Sequence, residues 1–132
     1  MEGMVTALDI FSGFSVDDID AARAFYRDTL GLDCTDGPMG NLDIALPGGS
    51  HVFVYPKPDH VPATFTILNL VVADIDAAVD ELNGRGVVTT IYDDPNLPTD
   101  EKGVLRGRSH NRGPDIAWFR DPAGNVMSVL QD

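Results

Sequence analysis

The chain has 132 residues, of which 43% are hydrophobic and 23% charged, and these values predict one soluble globular domain. Its formal net charge of -12 argues against nucleic acid as a partner, because the phosphates would be repelled. No apolar run reaches the roughly 18 residues that cross a bilayer, and we find no signal-peptide pattern. The single cysteine, Cys34, cannot form a disulfide within the chain. We therefore expect a cytoplasmic protein that binds neither nucleic acid nor membrane.

One seven-residue sequence motif, here called the repeated phrase, occurs twice in the chain. Residues 16–22 read Val-Asp-Asp-Ile-Asp-Ala-Ala, and residues 72–78 read Val-Ala-Asp-Ile-Asp-Ala-Ala, at an offset of 56. A second, weaker repeat relates residues 47–55 to residues 122–130 at an offset of 75. The second copy therefore holds 19 additional residues between its helix and its last strand. Because each copy of about 60 residues would be only marginally stable alone, we predict two modules that share a core.

The first module, residues 5–56, is predicted to have the order β-α-β-β-β. A strand over residues 7–15 precedes a helix that Asp17 or Asp18 caps and Gly31 ends. Runs of β-forming residues, separated by Gly- and Pro-containing turn signals, then predict three short strands at residues 32–35, 42–46 and 51–55.

Prolines interrupt residues 57–63, which we interpret as a linker because proline resists both helix and central strand. The second module, residues 64–132, repeats the order. A strand at 64–72 precedes a helix that Asp74 or Asp76 begins and that Gly84 and Gly86 stop, and strands are predicted at 87–92, 116–120 and 126–131. The additional residues form a predicted long loop at 93–113, and loops of that length are usually functional or disordered.

Further short motifs accompany the repeated phrase. The first module has Val16-x-Asp18-Ile19, Phe25-Tyr26 and Leu30-Gly31, and the second has Val72-x-Asp74-Ile75 and Phe119-x-Asp121-Pro122-x-Gly124-Asn125. In this order and spacing they resemble the vicinal oxygen chelate superfamily, which includes glyoxalase I, bleomycin-resistance proteins and extradiol dioxygenases. The resemblance covers nearly the whole chain as a single domain. It implies an α+β fold in which two tandem βαβββ modules form an open, cupped mixed β-sheet barrel around a ligand cleft, and it implies a homodimer.

Members that use a divalent metal place one ligand on the first strand and one on the last strand of each module. The residues at those positions here are Phe11, Phe53, Ile67 and Ser128. Phenylalanine and isoleucine offer no donor atom to a cation, and a neutral serine hydroxyl alone is a weak ligand. The histidines His51, His60 and His110 show no ligand spacing. We therefore expect neither a metal nor another cofactor.

The same positions predict a cleft with an apolar floor of Phe11, Phe53 and Ile67, beside the small polar Ser128. His51 and Asn69 lie two residues from floor positions and so share their sheet face, and Trp118 is a candidate aromatic wall. The alternative is that these side chains fill the barrel and leave no cavity.

The loop is basic, although the chain is acidic. Residues 102–112 hold four of the nine Lys and Arg residues, with glycines around them. One interpretation is a lid whose Arg106 and Arg108 pair with an anionic ligand. The other is a solvated loop whose charges offset the acidic surface or pair with a partner subunit.

These observations favour a metal-free member of the superfamily that binds a small organic molecule, by sequestration as in resistance proteins. A lyase, isomerase or dioxygenase that acts with loop residues is a second hypothesis, and a non-catalytic dimeric interaction module is a third. Whether the chain is an enzyme stays open, because the resemblance favours it while the residues at the metal positions do not.

Overall fold

The structure is a computed structural model that describes residues 4–132. The chain forms two compact units, one ending at His60 and the other beginning at Val61. Each unit contains an open four-stranded sheet and one main helix. The predicted α+β fold class is thereby confirmed. Among the described residues, no helix is long and apolar enough to cross a membrane.

The first unit follows the predicted element order. Its elements are β1 (Ser12–Val16), α1 (Ile19–Arg23, continued by a π-helical turn, Ala24–Thr29), β2 (Cys34–Asp36), β3 (Leu42–Ala45) and β4 (His51–Pro56). The sheet order is β1-β4-β3-β2, with β1 parallel to β4 and the remaining pairs antiparallel. The first strand is shorter than predicted, because residues 7–11 pair with no strand in the described chain.

Helix α1 begins and ends at the residues that the sequence indicates. The Asp18 side chain accepts hydrogen bonds from the backbone N–H groups of Asp20 and Ala21, which satisfies donors that no helical carbonyl reaches. Gly31 has φ of 72°, the left-handed conformation that ends helices. One face of the sheet buries Val52 and Val54 together with Tyr26 of the helical segment. The opposite face is left open, and it carries the residues of interest.

The second unit repeats this plan with an insertion. Its elements are β5 (Thr66–Val71), α2 (Ile75–Gly84), β6 (Asp93–Asp94), β7 (Leu97–Pro98), β8 (Val104–Arg106), a 3-10 turn (Arg108–His110), β9 (Asp115–Arg120) and β10 (Val126–Gln131). The sheet order is β5-β10-β9-β8, equivalent to that of the first unit, and β6 and β7 form a separate hairpin. Ile75 and Val79 of α2 are buried on the same side as Phe119 and Met127.

The predicted strand at residues 87–92 is wrong. The strand beside β9 is β8, whose Val104 pairs with Ala117, and it lies inside the range predicted as a loop. Residues 87–92 form no strand, although the N–H of Thr90 donates to the Trp118 carbonyl of β9 at 2.8 Å. Both segments contain β-forming residues, so the choice of edge strand depends on long-range pairing rather than on local preference.

Candidate functional site

The open face of the first sheet carries a row of aromatic side chains, here called the aromatic strip: Phe11, His51, Phe53 and Tyr55. The last three alternate along β4 and therefore share one face. The Phe11 ring stacks on His51 with centroids 4.6 Å apart, and it lies 6.4 Å from Phe53. Phe53 in turn lies 5.7 Å from Tyr55. Phe11 is 53% exposed, so the strip is accessible rather than filling a core.

Small residues on β1 keep the face open beside the strip. Gly13 pairs with Phe53, and Ser15 pairs with Tyr55. A Cβ atom at Gly13 would lie 3.1 Å from the Phe53 carbonyl oxygen, so a larger residue there would crowd the strip. Ser15 Oγ lies 2.6 Å from His60 Nδ1, which gives this end of the face a polar boundary.

A carboxylate lies on the other side of Phe53. Asp43 of β3 is its cross-strand partner, and directly opposed residues on antiparallel strands project to the same face. Asp43 is half-buried, and its Oδ1 atom is inaccessible with no hydrogen-bond partner among residues 4–132. Buried polar atoms in proteins are nearly always hydrogen-bonded, so this oxygen needs an explanation.

In the second sheet, the equivalent face is more polar. Ser128 is fully buried, and its Oγ donates to Asn69 Oδ1 at 2.5 Å. The indole N–H of Trp118 donates to Thr66 Oγ1 at 3.2 Å, and the ring meets Tyr92 edge-on at 5.5 Å. Tyr92, which comes directly before the insertion, therefore packs against this face.

Strand β5 pairs with β10 through one irregularity. The pairing shifts between Val126 and Met127, where β10 skips Ile67, and Ser128 pairs with Asn69 just as Phe53 pairs with Gly13 in the first unit. Ile67 is half-buried and lies at this irregularity. Within residues 4–132 no group of three or more His, Cys, Asp or Glu side chains is arranged to hold a metal ion.

The basic segment is tied to helix α2 by a network of ion pairs. Arg106 donates through both terminal nitrogens to the Asp76 carboxylate, at 3.0 and 2.8 Å, and through Nε to Asp100 at 3.0 Å. Lys102 lies 3.0 Å from both Asp76 and Asp80. Hydrogen bonds from Arg106 and then Lys102 hold the pKa of Asp76 well below its usual range. The same contact with Asp76 raises the pKa of Arg106.

The predicted basic residues separate into two environments. Arg106 lines a cavity of about 570 Å³ together with His110, Arg112 and the apolar residues Pro98 and Leu105. Arg108 does not line this cavity, and its nearest carboxylate is Asp115 at 3.9 Å. The part that Arg106 and Arg108 play in binding stays a prediction.

Sequence reasoning missed four residues of the open face in the first unit. They are Gly13, Ser15, Asp43 and Tyr55. Strand alternation carried the signal for Tyr55, which is two residues after Phe53. Asp43 required knowledge of which β3 residue opposes Phe53, and Ser15 required its long-range contact with His60.

A family model described as the Glyoxalase/Bleomycin resistance protein/Dioxygenase superfamily matches residues 8–129. The chain belongs to this superfamily. The sequence resemblance to the vicinal oxygen chelate group is thereby confirmed. No curated protein sequence matches the chain.

Solved structures of similar proteins match this chain over almost its entire length. TnmS3, an antibiotic binding protein from Streptomyces sp. CB03234, is 25% identical with a TM-score of 0.65 and covers 97% of this chain and 98% of its own. A glyoxalase/bleomycin resistance protein from the same organism is 26% identical with a TM-score of 0.60, covering 92% and 97%. The fosfomycin resistance protein FosX from Listeria monocytogenes, at 11% identity and a TM-score of 0.68 over 98% and 95%, shows the fold alone.

Proposed function

We propose that the protein binds a small organic molecule with a flat aromatic part on the open face of the first sheet, without a metal, and acts by sequestering it. The observation that carries the proposal is the aromatic strip. Four rings follow one another at centroid distances of 4.6 to 6.4 Å on a face that the helix does not cover.

The physical basis is stacking on a preformed aromatic surface. Each aromatic contact contributes about 0.5–1.5 kcal/mol beyond the burial of its area, so two or three contacts with a flat ligand add up to a useful affinity. The rings already touch one another, so little side-chain entropy is lost on binding. Gly13 and Ser15 leave room beside the rings, and Ser15 with His60 provides hydrogen-bonding groups at one end.

The metal-free part of the proposal is based on the residue types at the positions that bind metal in other members. Phe11 and Phe53, which occupy two of them, are members of the aromatic strip. Ser128, at a third position, has its hydroxyl committed to Asn69. The likeness to TnmS3, an antibiotic binding protein, supports sequestration of a small molecule as the biological role.

The proposal is tested with an aromatic probe and two matched variants. Naphthalenemethanol is titrated into the protein and into Phe53→Ala and Phe65→Ala, and binding is measured by calorimetry. Phe65 is 70% exposed but lies outside the strip, so Phe65→Ala removes a comparable ring elsewhere. We expect saturable binding that Phe53→Ala weakens about tenfold, since a lost ring contact is worth about 1.4 kcal/mol. Equal effects of the two variants, or no binding to the unmodified protein, would contradict it.

The superfamily resemblance also predicts a homodimer. Sedimentation of the purified protein measures this directly, and a monomer at micromolar concentration would show that prediction to be wrong.

A further inference from the structure

The inaccessible carboxylate oxygen of Asp43 lies beside the aromatic strip. Asp43 is the cross-strand partner of Phe53 on one side and of Thr35 on the other. No ion pair or hydrogen bond satisfies its Oδ1 among residues 4–132, and solvent does not reach this atom. The unpaired oxygen therefore belongs to the same face as the proposed ligand surface.

An unpaired carboxylate oxygen out of contact with water is unfavourable. Burying a charged or polar group without a partner costs free energy that a hydrogen bond would recover. The chain holds 21 acidic residues, and those around helix α2 in the second unit are paired with Lys102 and Arg106. Within the described part of the first unit, Asp43 has no such cation.

We infer that the ligand is an aromatic amine cation, and that Asp43 is the residue that selects it. This inference deepens the proposed function and is based on it. The flat part of the ligand lies on Phe53 and its neighbours, and the ammonium group donates to the Asp43 carboxylate. Rotation about the Cβ–Cγ bond, which is soft in aspartate, turns the unpaired oxygen toward the open face.

Two further features favour a cation over a neutral or anionic ligand. Aromatic faces attract cations electrostatically, so the strip stabilises the ammonium group as well as the ring that carries it. The formal net charge of -12 raises the local concentration of cations around the protein and repels anions. A charge-assisted hydrogen bond to a carboxylate is also stronger than a neutral one.

Three probes of the same shape test the inference. Naphthylmethylamine is a cation, naphthalenemethanol is neutral, and naphthoate is an anion. Calorimetric titration at high ionic strength, which screens the general acidic field, is done with the unmodified protein, Asp43→Asn and Asp33→Asn. Asp33 is exposed in the same unit, so Asp33→Asn removes the same charge at a site outside the strip.

We expect the unmodified protein and Asp33→Asn to bind the amine about tenfold more tightly than the alcohol, the size of one charge-assisted hydrogen bond. Asp43→Asn should bind the amine and the alcohol about equally. It should also melt at the same or a higher temperature, because it removes the charge from a side chain whose inaccessible oxygen has no partner among residues 4–132.

Different results separate the inference from the proposed function. Binding of all three probes with equal affinity would overturn the role of Asp43 while leaving the strip as the ligand surface. An amine preference that persists in Asp43→Asn, or that Asp33→Asn loses equally, would also overturn it. If no probe binds, or if Phe53→Ala leaves every affinity unchanged, the proposed function fails as well.

Discussion

The two repeats differ most at the positions where their sequences correspond on the open sheet face. Gly13 and Phe53 of the first unit are equivalent to Asn69 and Ser128 of the second. The first pair leaves an exposed aromatic surface. The second pair forms a short internal hydrogen bond that is fully buried at Ser128. The two units have equivalent backbones, so the side chains at these alternate strand positions decide which of the two equivalent sheet faces can receive a ligand.

The helices of the two repeats show a parallel difference. Asp20 of α1 and Asp76 of α2 occupy equivalent positions in the repeated phrase. Asp20 is 85% exposed and pairs with Arg23 on its own helix. Asp76 instead binds Lys102 and Arg106 of the insertion. The insertion therefore turns two of its cations toward the helix, and the second repeat uses its charges to hold structure together.

The largest expected difference between the repeats is at the turns that close their last hairpins. Asn125 is buried, accepts from the Ala63 N–H at 2.9 Å and donates to Asp121 at 3.1 Å. Its equivalent, Ser50, is exposed. Asn125→Ala should lower the free energy of unfolding by about 2–3 kcal/mol, because buried partners lose their hydrogen bonds, whereas Ser50→Ala should change it by less than about 0.5 kcal/mol. Denaturant unfolding of both variants measures this, and similar losses would contradict the comparison.

A smaller effect is expected at Ser128. Ser128→Ala removes a buried hydroxyl whose acceptor, Asn69, is exposed and can bond to water instead. The loss in unfolding free energy should therefore be about 1 kcal/mol. Thermal unfolding with the naphthalenemethanol titration checks this, since affinity for the probe should not change. A loss of probe affinity would indicate that the ligand binds on the second sheet, which would contradict our account.

The ion pairs of Asp76 should contribute less to the free energy of unfolding than the buried hydrogen bonds above, and their contribution should fall as salt is added. Asp76→Asn should lower the unfolding free energy by about 1 kcal/mol or less at low salt, and Asp20→Asn by less still, because Asp20 is more exposed.

The pH dependence follows from the direction of the Asp76 pKa shift. Arg106 and Lys102 lower the pKa of Asp76 in the folded chain, so the unfolded chain binds the proton first as the pH falls below about 4. The contribution is complete above that pH and is lost in acid. Denaturant unfolding at neutral and acidic pH should therefore show the Asp76→Asn penalty shrinking in acid; a penalty that grows there would refute the assignment.

The smallest effect is expected from treatment with a metal chelator. Phe11, Phe53 and Ile67 have no donor atoms, so treatment with EDTA followed by dialysis should leave naphthalenemethanol affinity and melting temperature unchanged. A loss of either that added Zn²⁺ or Mn²⁺ restores would contradict the metal-free proposal.

Local chemistry explains why much of the fold was predictable from sequence. The repeated phrase marked both helix starts, and the Asp18 and Asp74 side chains accept the expected hydrogen bonds from backbone N–H groups. Strand β10 has its predicted bounds, Val126–Gln131, because it follows a clear turn and is a short, mostly apolar run that is buried along most of its length. These features depend on neighbours in sequence, which a single chain reveals.

The features that were missed depend on pairing across long separations. Spacing alone does not reveal the irregularity between Val126 and Met127, where β10 skips Ile67 of β5. It also does not show that Val104, between glycines, pairs with β9 in preference to residues 87–92. For the same reason the number of basic residues predicted a charged segment, but not that Arg106 would face Asp76.

The central claim is that the open face of the first sheet is the ligand surface, and NMR mapping tests it most directly. Amide chemical shifts of uniformly labelled protein are followed during titration with naphthylmethylamine. The account predicts saturable shifts concentrated at Gly13, Asp43, Phe53 and Tyr55, with those of Asn69 and Ser128 unchanged. Shifts concentrated in the second unit, or no saturable shifts, would contradict it.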